Sequence, residues 1–274
     1  MNDQSFNIPY ISLNLRPAYN LYYDWTGWPT AGTTLPDGVV AAAAETAPLW
    51  AQDGLRLTKP HATRDKVQLL FSVNPKVSPT FCCMRAKGRL QHALRKRGMP
   101  VDFSRKVGFR CLGENTTAIV EEYIRKQVSK EELADARYAR ILDQMTVIRK
   151  EVDLARPSES SSGRYWYNLH VVLVIADRFR ITRPDVLARI REVAMNTAEE
   201  GEHRVAAVAV LPDHTHMAIR GCIENSPEEI ALKFQNGLAR AVGCRAWQDG
   251  FYVGTFSEYG LAVIRGLWAG NRGL

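Results

Sequence analysis

Long apolar runs are missing from this 274-residue chain; the longest, such as Val39–Ala44 and Val205–Leu211, are far too short to cross a bilayer. The opening residues, MNDQSFNIPY, lack a basic segment followed by an apolar core, so no signal peptide is expected. Cysteine is scarce. Cys82, Cys83, Cys111, Cys222 and Cys244 are odd in number and no two have zinc-ligand spacing, which argues against a disulfide framework or a zinc knuckle. These absences lead to the expectation of a soluble, cytoplasmic protein with no membrane partner.

What is present suits a folded protein: 46% hydrophobic and 24% charged residues. The length allows one large domain or two ordinary ones. Lys and Arg number 36 against 29 Asp and Glu, a net charge of +7 that suits a polyanionic partner without identifying one.

The chain repeats itself. Tyr19-Asn20-Leu21 recurs 148 positions later as Tyr167-Asn168-Leu169, and the same offset relates Asp65 to Asp213, Ser78-Pro79 to Ser226-Pro227 and Leu90 to Leu238. Val107-Gly108 and Val253-Gly254 match at an offset of 146. In the second copy, Trp166–Ala176 is an apolar, β-branched run predicted as a strand. Thr182 is expected to cap a helix over Arg183–Gly201, and Val205–Leu211 and Thr215–Cys222 follow as strands. Ser226-Pro227-Glu228-Glu229 has the form of a capping box opening a helix that runs to about Gly243. Phe251–Phe256 is a fourth strand, and a short helix ends the chain. The order β-α-β-β-α-β is that of a ferredoxin-like domain, so the fold class is α+β with two such domains in one chain, a pseudo-dimer. The first copy shows the same order, with an insertion over Asp24–Asp37 after its first strand. Between the copies, Ser129–Leu154 reads as one helix with a single sticky face, on the order of 35 Å long, and Arg156–Gly163 as a flexible hinge. The expected boundaries are 1–128, a connector over 129–163, and 164–274.

His214-Thr215-His216 stands at the start of a predicted strand, where alternation points both imidazoles to one face. Leu211-Pro-Asp-His214-Thr-His216-Met, then Ser-Pro opening a helix, then Trp247-Gln-Asp-Gly-Phe-Tyr-Val-Gly254-Thr resembles the HUH single-tyrosine transposases of bacterial insertion sequences. It is also similar to their relatives associated with repetitive extragenic palindromes. The resemblance covers the second copy.

That resemblance implies a catalytic tyrosine in a pattern like Tyr-Ile-x-x-Gln on the helix after the fourth strand. In copy two the expected position falls on Leu267 or Ala269, neither a nucleophile, and Tyr259 precedes the helix. Copy one is the converse: Lys66 and Gln68 replace the histidines, yet its last helix carries Tyr123 and Gln127, one turn apart. The two defects are complementary. The family's active sites can be composite, so the resemblance implies one site per chain: Tyr123 as nucleophile, with His214, His216 and Gln127 holding Mg²⁺ or Mn²⁺. Asp213 either supports a ligating histidine or serves the strand turn. Such a site would nick single-stranded DNA, with a hairpin, through a 5′-phosphotyrosine and join strands by the reverse step. Arg85, Lys87, Arg89, His92, Arg95, Lys96 and Arg97 lie on one helix with no acid among them, and Lys233, Arg240 and Arg245 occupy related places, so both are expected to grip DNA phosphates near the site. Trp25, Trp28 and Trp50 are either packing residues or stacking platforms. The competing reading is a catalytically inactive, domesticated DNA-hairpin-binding protein.

Overall fold

The computed structural model describes residues 9–131 and 136–258. In the first half, β2 (Tyr22–Pro29), α1 (Val39–Gln52), β3 (Leu55–Ala62), β4 (Val67–Val73), α2 (Pro79–Lys96) and β5 (Phe103–Leu112) follow in chain order. Their strands pair as β3-β4-β2-β5. In the second half, β9 (Asn168–Ile175), α6 (Pro184–Glu200), β10 (Arg204–Val210), β11 (His214–Arg220), α7 (Pro227–Val242) and β12 (Trp247–Thr255) repeat that connectivity. They pair in the matching order β10-β11-β9-β12. The protein is therefore α+β, with α1 and α2 covering one face of the first sheet and α6 and α7 one face of the second.

The halves exchange strands. β1 (Ala18–Asn20) pairs parallel with β12 of the second sheet, and β8 (Gly163–Trp166) pairs parallel with β5 of the first. The chain changes sheet at Leu21 and again at Tyr167. Both carbonyls there accept a backbone hydrogen bond from the end of the third strand of their own half, Leu21 from Val73 at 3.0 Å and Tyr167 from Gly221 at 2.9 Å. Parallel pairing at β8 brings backbone so close that a Cβ on Gly163 would meet the Val107 carbonyl oxygen at 2.0 Å, and the residue's φ is +147°. Glycine is required there.

This pairing corrects several expectations. Leu21 corresponds to Tyr167, an offset of 146, whereas Ser78 and Ser226, the helix N-caps, keep 148. The repeated Tyr-Asn-Leu triplet is thus two residues out of structural register. The predicted strand Trp166–Ala176 is split at Tyr167, because its two parts belong to different sheets. The first strand of copy one extends to Pro29, which places Asp24, Trp25 and Trp28 in β2 rather than in an insertion. Trp25 and Trp50 are fully buried packing residues. Among the described residues, Ser129–Leu154 is not one long helix. Instead α3 (Thr117–Arg125) is followed by α4 (Gln127–Lys130), α5 (Ala136–Gln144) and β6 (Thr146–Ile148), whose β-branched residues add an edge strand to β10. The serine-rich hinge is an ordered hairpin in which β7 (Ser158–Ser160) pairs with β8, closed by a 2.8 Å hydrogen bond between the hydroxyls of Ser160 and Ser162. Arg183, not Thr182, caps α6, with Pro184 in its first turn. The Ser226 capping box is present, and Gly243 ends α7 with φ +85°. The predicted final helix, with Leu267 and Ala269, and Tyr259 before it lie outside the described residues.

No helix among the described residues is long and apolar enough to cross a membrane.

Candidate active site

β11 begins directly after the Pro212-Asp213 turn. Period-two alternation sends Thr215, Met217 and Ile219 into the core, and His214 and His216 to the face that α6 and α7 leave uncovered. On neighbouring β9, His170 points to the same face. Its Nε2 lies 3.1 Å from His216 Nδ1, and the two rings stack with centroids 5.3 Å apart. The His214 and His216 rings are 4.9 Å apart. His214 Nδ1 lies 2.6 Å from the Asp213 carboxylate.

α3 covers this face although it comes from the first half. Its path is set where β5 and β12 end. A Cβ on Gly113 would lie 2.1 Å from the Thr255 carbonyl oxygen, so only glycine lets the two backbones cross. Thr255 fastens the crossing: its hydroxyl donates to the Leu112 carbonyl and accepts from the Tyr22 amide at 3.0 Å. Beyond the crossing, Thr116 caps α3 and the Glu258 carboxylate accepts from the Thr117 amide at 3.2 Å. Val120 and Ile124 then bury against Ala207, Ala209, Ala218 and Phe256. Alanines on β10 and β11 are what allow a helix to lie so near the strands.

That docking brings Tyr123 to the histidines. Its ring centroid is 5.4 Å from that of His216 and 5.9 Å from that of His170, both edge-on. Lys130 Nζ sits 3.9 Å from the ring centroid. Tyr123, His170, His216 and Tyr252 share a cavity of about 410 Å³ with Asn115 and Ile119 at its rim. Tyr123 is 42% exposed. Gln127 is buried, and its amide nitrogen donates to the Tyr123 carbonyl at 2.7 Å. The helix breaks at Lys126, between the two.

Burial holds His170 and His216 far below the ordinary imidazole range; for His216 the neighbouring His170 and His214 add to the effect. Both rings are therefore neutral near pH 7; with His216 Nδ1–H donating to His170 Nε2, the lone pair left for a cation is that of His216 Nε2. Burial opposes ionisation of Asp213, but His214 and Arg178 outweigh it and hold the carboxyl below its usual value. Ligand atoms of Glu131, Asp213 and His214 all lie within 4.8 Å of one another. His214 and His216 each have Nδ1 engaged by a neighbour, Asp213 and His170, which leaves Nε2 as the outward donor. That is how metal-ligating histidines are generally oriented. Two imidazoles with adjacent carboxylates suit a divalent cation.

Sequence reasoning missed His170 and Glu131. His170 stood in a predicted strand whose face was unassigned until its pairing with β11 was known. Glu131 lay in a segment read as part of a long connecting helix.

The basic residues of α2 do not flank this site, because α2 belongs to the helical layer of the other sheet. Arg85 and Arg89 pair with Asp53 at 3.7 and 2.5 Å, Arg97 pairs with Glu45, and Lys87 donates to the Ser104 carbonyl at 3.0 Å. His92, Arg95 and Lys96 are exposed. Lys233 and Arg240 are exposed on α7, on the side of the second sheet away from the histidines, and Arg245 pairs with Asp249.

One further histidine is structural and makes stability sensitive to acid. His203 is 4% exposed and its Nδ1 accepts from the Cys222 amide at 2.9 Å. Burial, with Lys233 adding to it, pushes its pKa from 6.5 down to about 4. The unfolded chain takes up this proton first, so the stability present above pH 6.5 is lost as pH falls towards 4, at about 1.4 kcal/mol per unit. Urea unfolding at pH 7.5, 6 and 5 is expected to show a steeper fall than this, because His170 and His216 are depressed as well, and His203→Asn, which keeps an acceptor, to lessen the fall by His203's share.

No curated protein matches the chain. Among solved structures it is similar to a protein of Deinococcus radiodurans R1 described as a transposase, with 16% identity, 38% of this chain and 88% of that one covered, and a TM-score of 0.31. It is also similar to the regulatory subunit of aspartate kinase from Thermus thermophilus, with 10% identity, coverages of 81% and 93%, and a TM-score of 0.21. Residues 164–266 match the family described as Transposase IS200 like, a stretch that holds His170, His214, His216 and Tyr252, while Tyr123 and Glu131 lie before it.

Proposed function

We propose that this chain cuts and rejoins single-stranded DNA in transposition or a related mobile-element reaction. On this reading it is a single-tyrosine HUH transposase made of two fused ferredoxin-like halves, a pseudo-dimer with one composite active site. One observation carries the reading: a tyrosine of the first half lies with its ring 5.4 Å from a histidine of the second. The match of residues 164–266 to an IS200-like transposase family supports it.

The Tyr123 oxygen attacks the scissile phosphorus. The new bond joins phenol oxygen to phosphorus while the bond from phosphorus to the 3′ oxygen breaks. The phenol gives up its proton, the departing 3′ oxygen gains one, and the strand's 5′ phosphate stays on the enzyme. A 3′-hydroxyl returning in the reverse direction rejoins a strand without a nucleotide cofactor. Mg²⁺ or Mn²⁺, bound by His214 and His216, would supply Lewis-acid polarisation of the phosphate. Asp213 and His170 hold the two imidazoles in orientation. The resemblance assigns the third donor to Gln127. The Gln127 amide nitrogen is taken up by the Tyr123 carbonyl, which leaves its oxygen as the donor; Glu131, one turn further on, brings a carboxylate near Asp213 and His214 while pairing with Arg180 at 2.6 Å. Lys130 adds positive charge beside the attacking phenol.

The test is a covalent one. Single-stranded DNA labelled on its 3′ side, incubated with the protein and Mn²⁺, should leave a labelled band that survives denaturation. DNA retained in native gels with no such band would instead establish an inactive hairpin-binding protein. Chelation with EDTA is expected to abolish the adduct and Mn²⁺ to restore it. Mn²⁺ at a hundred times its Kd should raise stability by about 2.7 kcal/mol in the wild type, and His214→Ala/His216→Ala should erase that gain. A melting curve indifferent to Mn²⁺ would rule out the cation site.

A further inference from the structure

The first sheet carries, on the face away from α1 and α2, a cavity of about 1040 Å³, against about 410 Å³ at Tyr123. Strand pairing makes it the counterpart of the histidine site. Lys66 and Gln68 stand where the second half has His214 and His216, and Asp24, opposite Leu70, stands where His170 lies opposite Ala218. A lysine at this place repels a cation, so the counterpart is not a second metal site.

Yet it has not closed into an ordinary packed surface. Asp24 is 6% exposed, and its Oδ1 has no hydrogen-bond partner among the described residues. Burial pushes this carboxyl up to about 6, against the pull of Arg110, Thr26 and Gln68; the Thr26 hydroxyl reaches its Oδ2 at only 3.5 Å. A buried acceptor left unmatched is unfavourable, and a donor on a bound molecule would relieve it. Beside it, the Gln68 amide and Thr26 hydroxyl approach each other at only 3.5 Å, a contact too long to occupy either fully. The walls are aromatic. Trp28 lies over Gly108, where a Cβ would come within 3.1 Å of the indole, and Trp166 is capped by the Arg110 guanidinium at 4.5 Å. Arg105 and Lys106 stand exposed at the rim. Acceptor, amide, indole and rim cations together match the parts of a nucleotide: an amino-bearing edge, a ring face and a phosphate.

We propose that this cavity binds an unpaired nucleotide of single-stranded DNA, its base stacked on Trp28, its amino edge donating to Asp24, and its phosphate held by Arg105 and Lys106. The proposal rests on the reading that the chain acts on single-stranded DNA. It turns the disabled half of a duplicated catalyst into the part that reads the substrate.

The test uses the full chain bearing Tyr123→Phe, so that binding is measured without reaction. Anisotropy of labelled oligo-dA, oligo-dC and oligo-dT is followed at fixed salt, with free dAMP as competitor. Trp28→Ala is expected to weaken oligo-dA binding roughly ten- to hundredfold, Trp28→Phe much less, and Lys106→Glu to weaken all three oligomers alike. Asp24→Asn should remove the preference for dA and dC over dT. In the Tyr123-bearing background these variants should still form the covalent adduct at saturating DNA, which separates the two sites. Unchanged binding in both Trp28→Ala and Asp24→Asn, with melting temperatures intact, overturns the cavity assignment and leaves the catalytic reading standing. Failure of the parent protein to bind any oligomer overturns both. Displacement by dAMP at concentrations similar to the oligomer's would show a free-nucleotide site and overturn the DNA assignment.

Discussion

Tyr123→Phe is expected to eliminate the covalent protein–DNA adduct and to lower strand cleavage by about a thousandfold or more, with the fold unchanged. The side chain is 42% exposed, so loss of one hydroxyl strands no buried partner. A phenyl ring keeps the edge-on contacts to His170 and His216 and the place beneath Lys130. What disappears is the only atom of this residue able to bond to phosphorus. The cavity offers one rival among the described residues, Tyr252, whose ring lies 5.9 Å from that of His170. Tyr252 is the weaker candidate on two counts. Burial, together with Glu114 and Tyr123, raises its pKa, which makes the phenolate harder to form. It is also fixed on β12, a strand paired on both sides, and is 38% exposed against 42% for Tyr123. Tyr252→Phe should therefore retain the adduct. The opposite result, an adduct lost with Tyr252→Phe and kept with Tyr123→Phe, would place the nucleophile within the second half and dissolve the composite site.

The sequence made legible what local pattern encodes. The Ser226 box, the hairpin around Asp213 and the shared face of His214 and His216 all depend on residues a few positions apart, and they stand in the structure as read. The complementary losses, histidines absent from one half and a tyrosine from the other, pointed to an encounter across the halves, and Tyr123 does lie against His216. Features fixed by distant backbone were not legible. Gly163 and Gly113 look like ordinary glycines until the carbonyls of Val107 and Thr255 are seen pressing on them. β1 and β8 are too short to announce themselves, and each finds its partner in the opposite sheet. His170 needed the register of β9 against β11 before its face could be known. The basic run on α2 was visible, but charge counts along a helix do not reveal that Asp53 and Glu45, from the end and middle of α1's neighbourhood, already engage three of its arginines.

Ile124→Ala should uncouple the nucleophile from the histidines while the rest of the molecule stays folded. A nine-residue helix has little stability of its own, so α3 holds its place by what it buries. Ile124 is fully buried, and with Val120 it fills the shallow bed made by Ala207, Ala209 and Ala218. Truncation to alanine leaves a gap between two rigid elements that neither can close, at a cost of about 2–5 kcal/mol. Because Tyr123 precedes Ile124 on the same turn, loss of that anchor frees the ring from His216. A displacement of about 1 Å at a reacting group is enough to slow reaction on the order of a hundredfold. The fair comparison is Leu94→Ala, an equally buried residue of α2 whose loss falls on the first half's own core. Both variants should melt lower by similar amounts. Only Ile124→Ala should also lose adduct formation at a temperature where both remain folded, and show faster amide exchange confined to α3. Equal retention of activity in the two would mean that the position of α3 over the second sheet is a matter of packing and not of chemistry. The composite site depends on the opposite being true: a nucleophile is only as well aimed as the helix that carries it, and this helix is seated on strands from the other half of the chain.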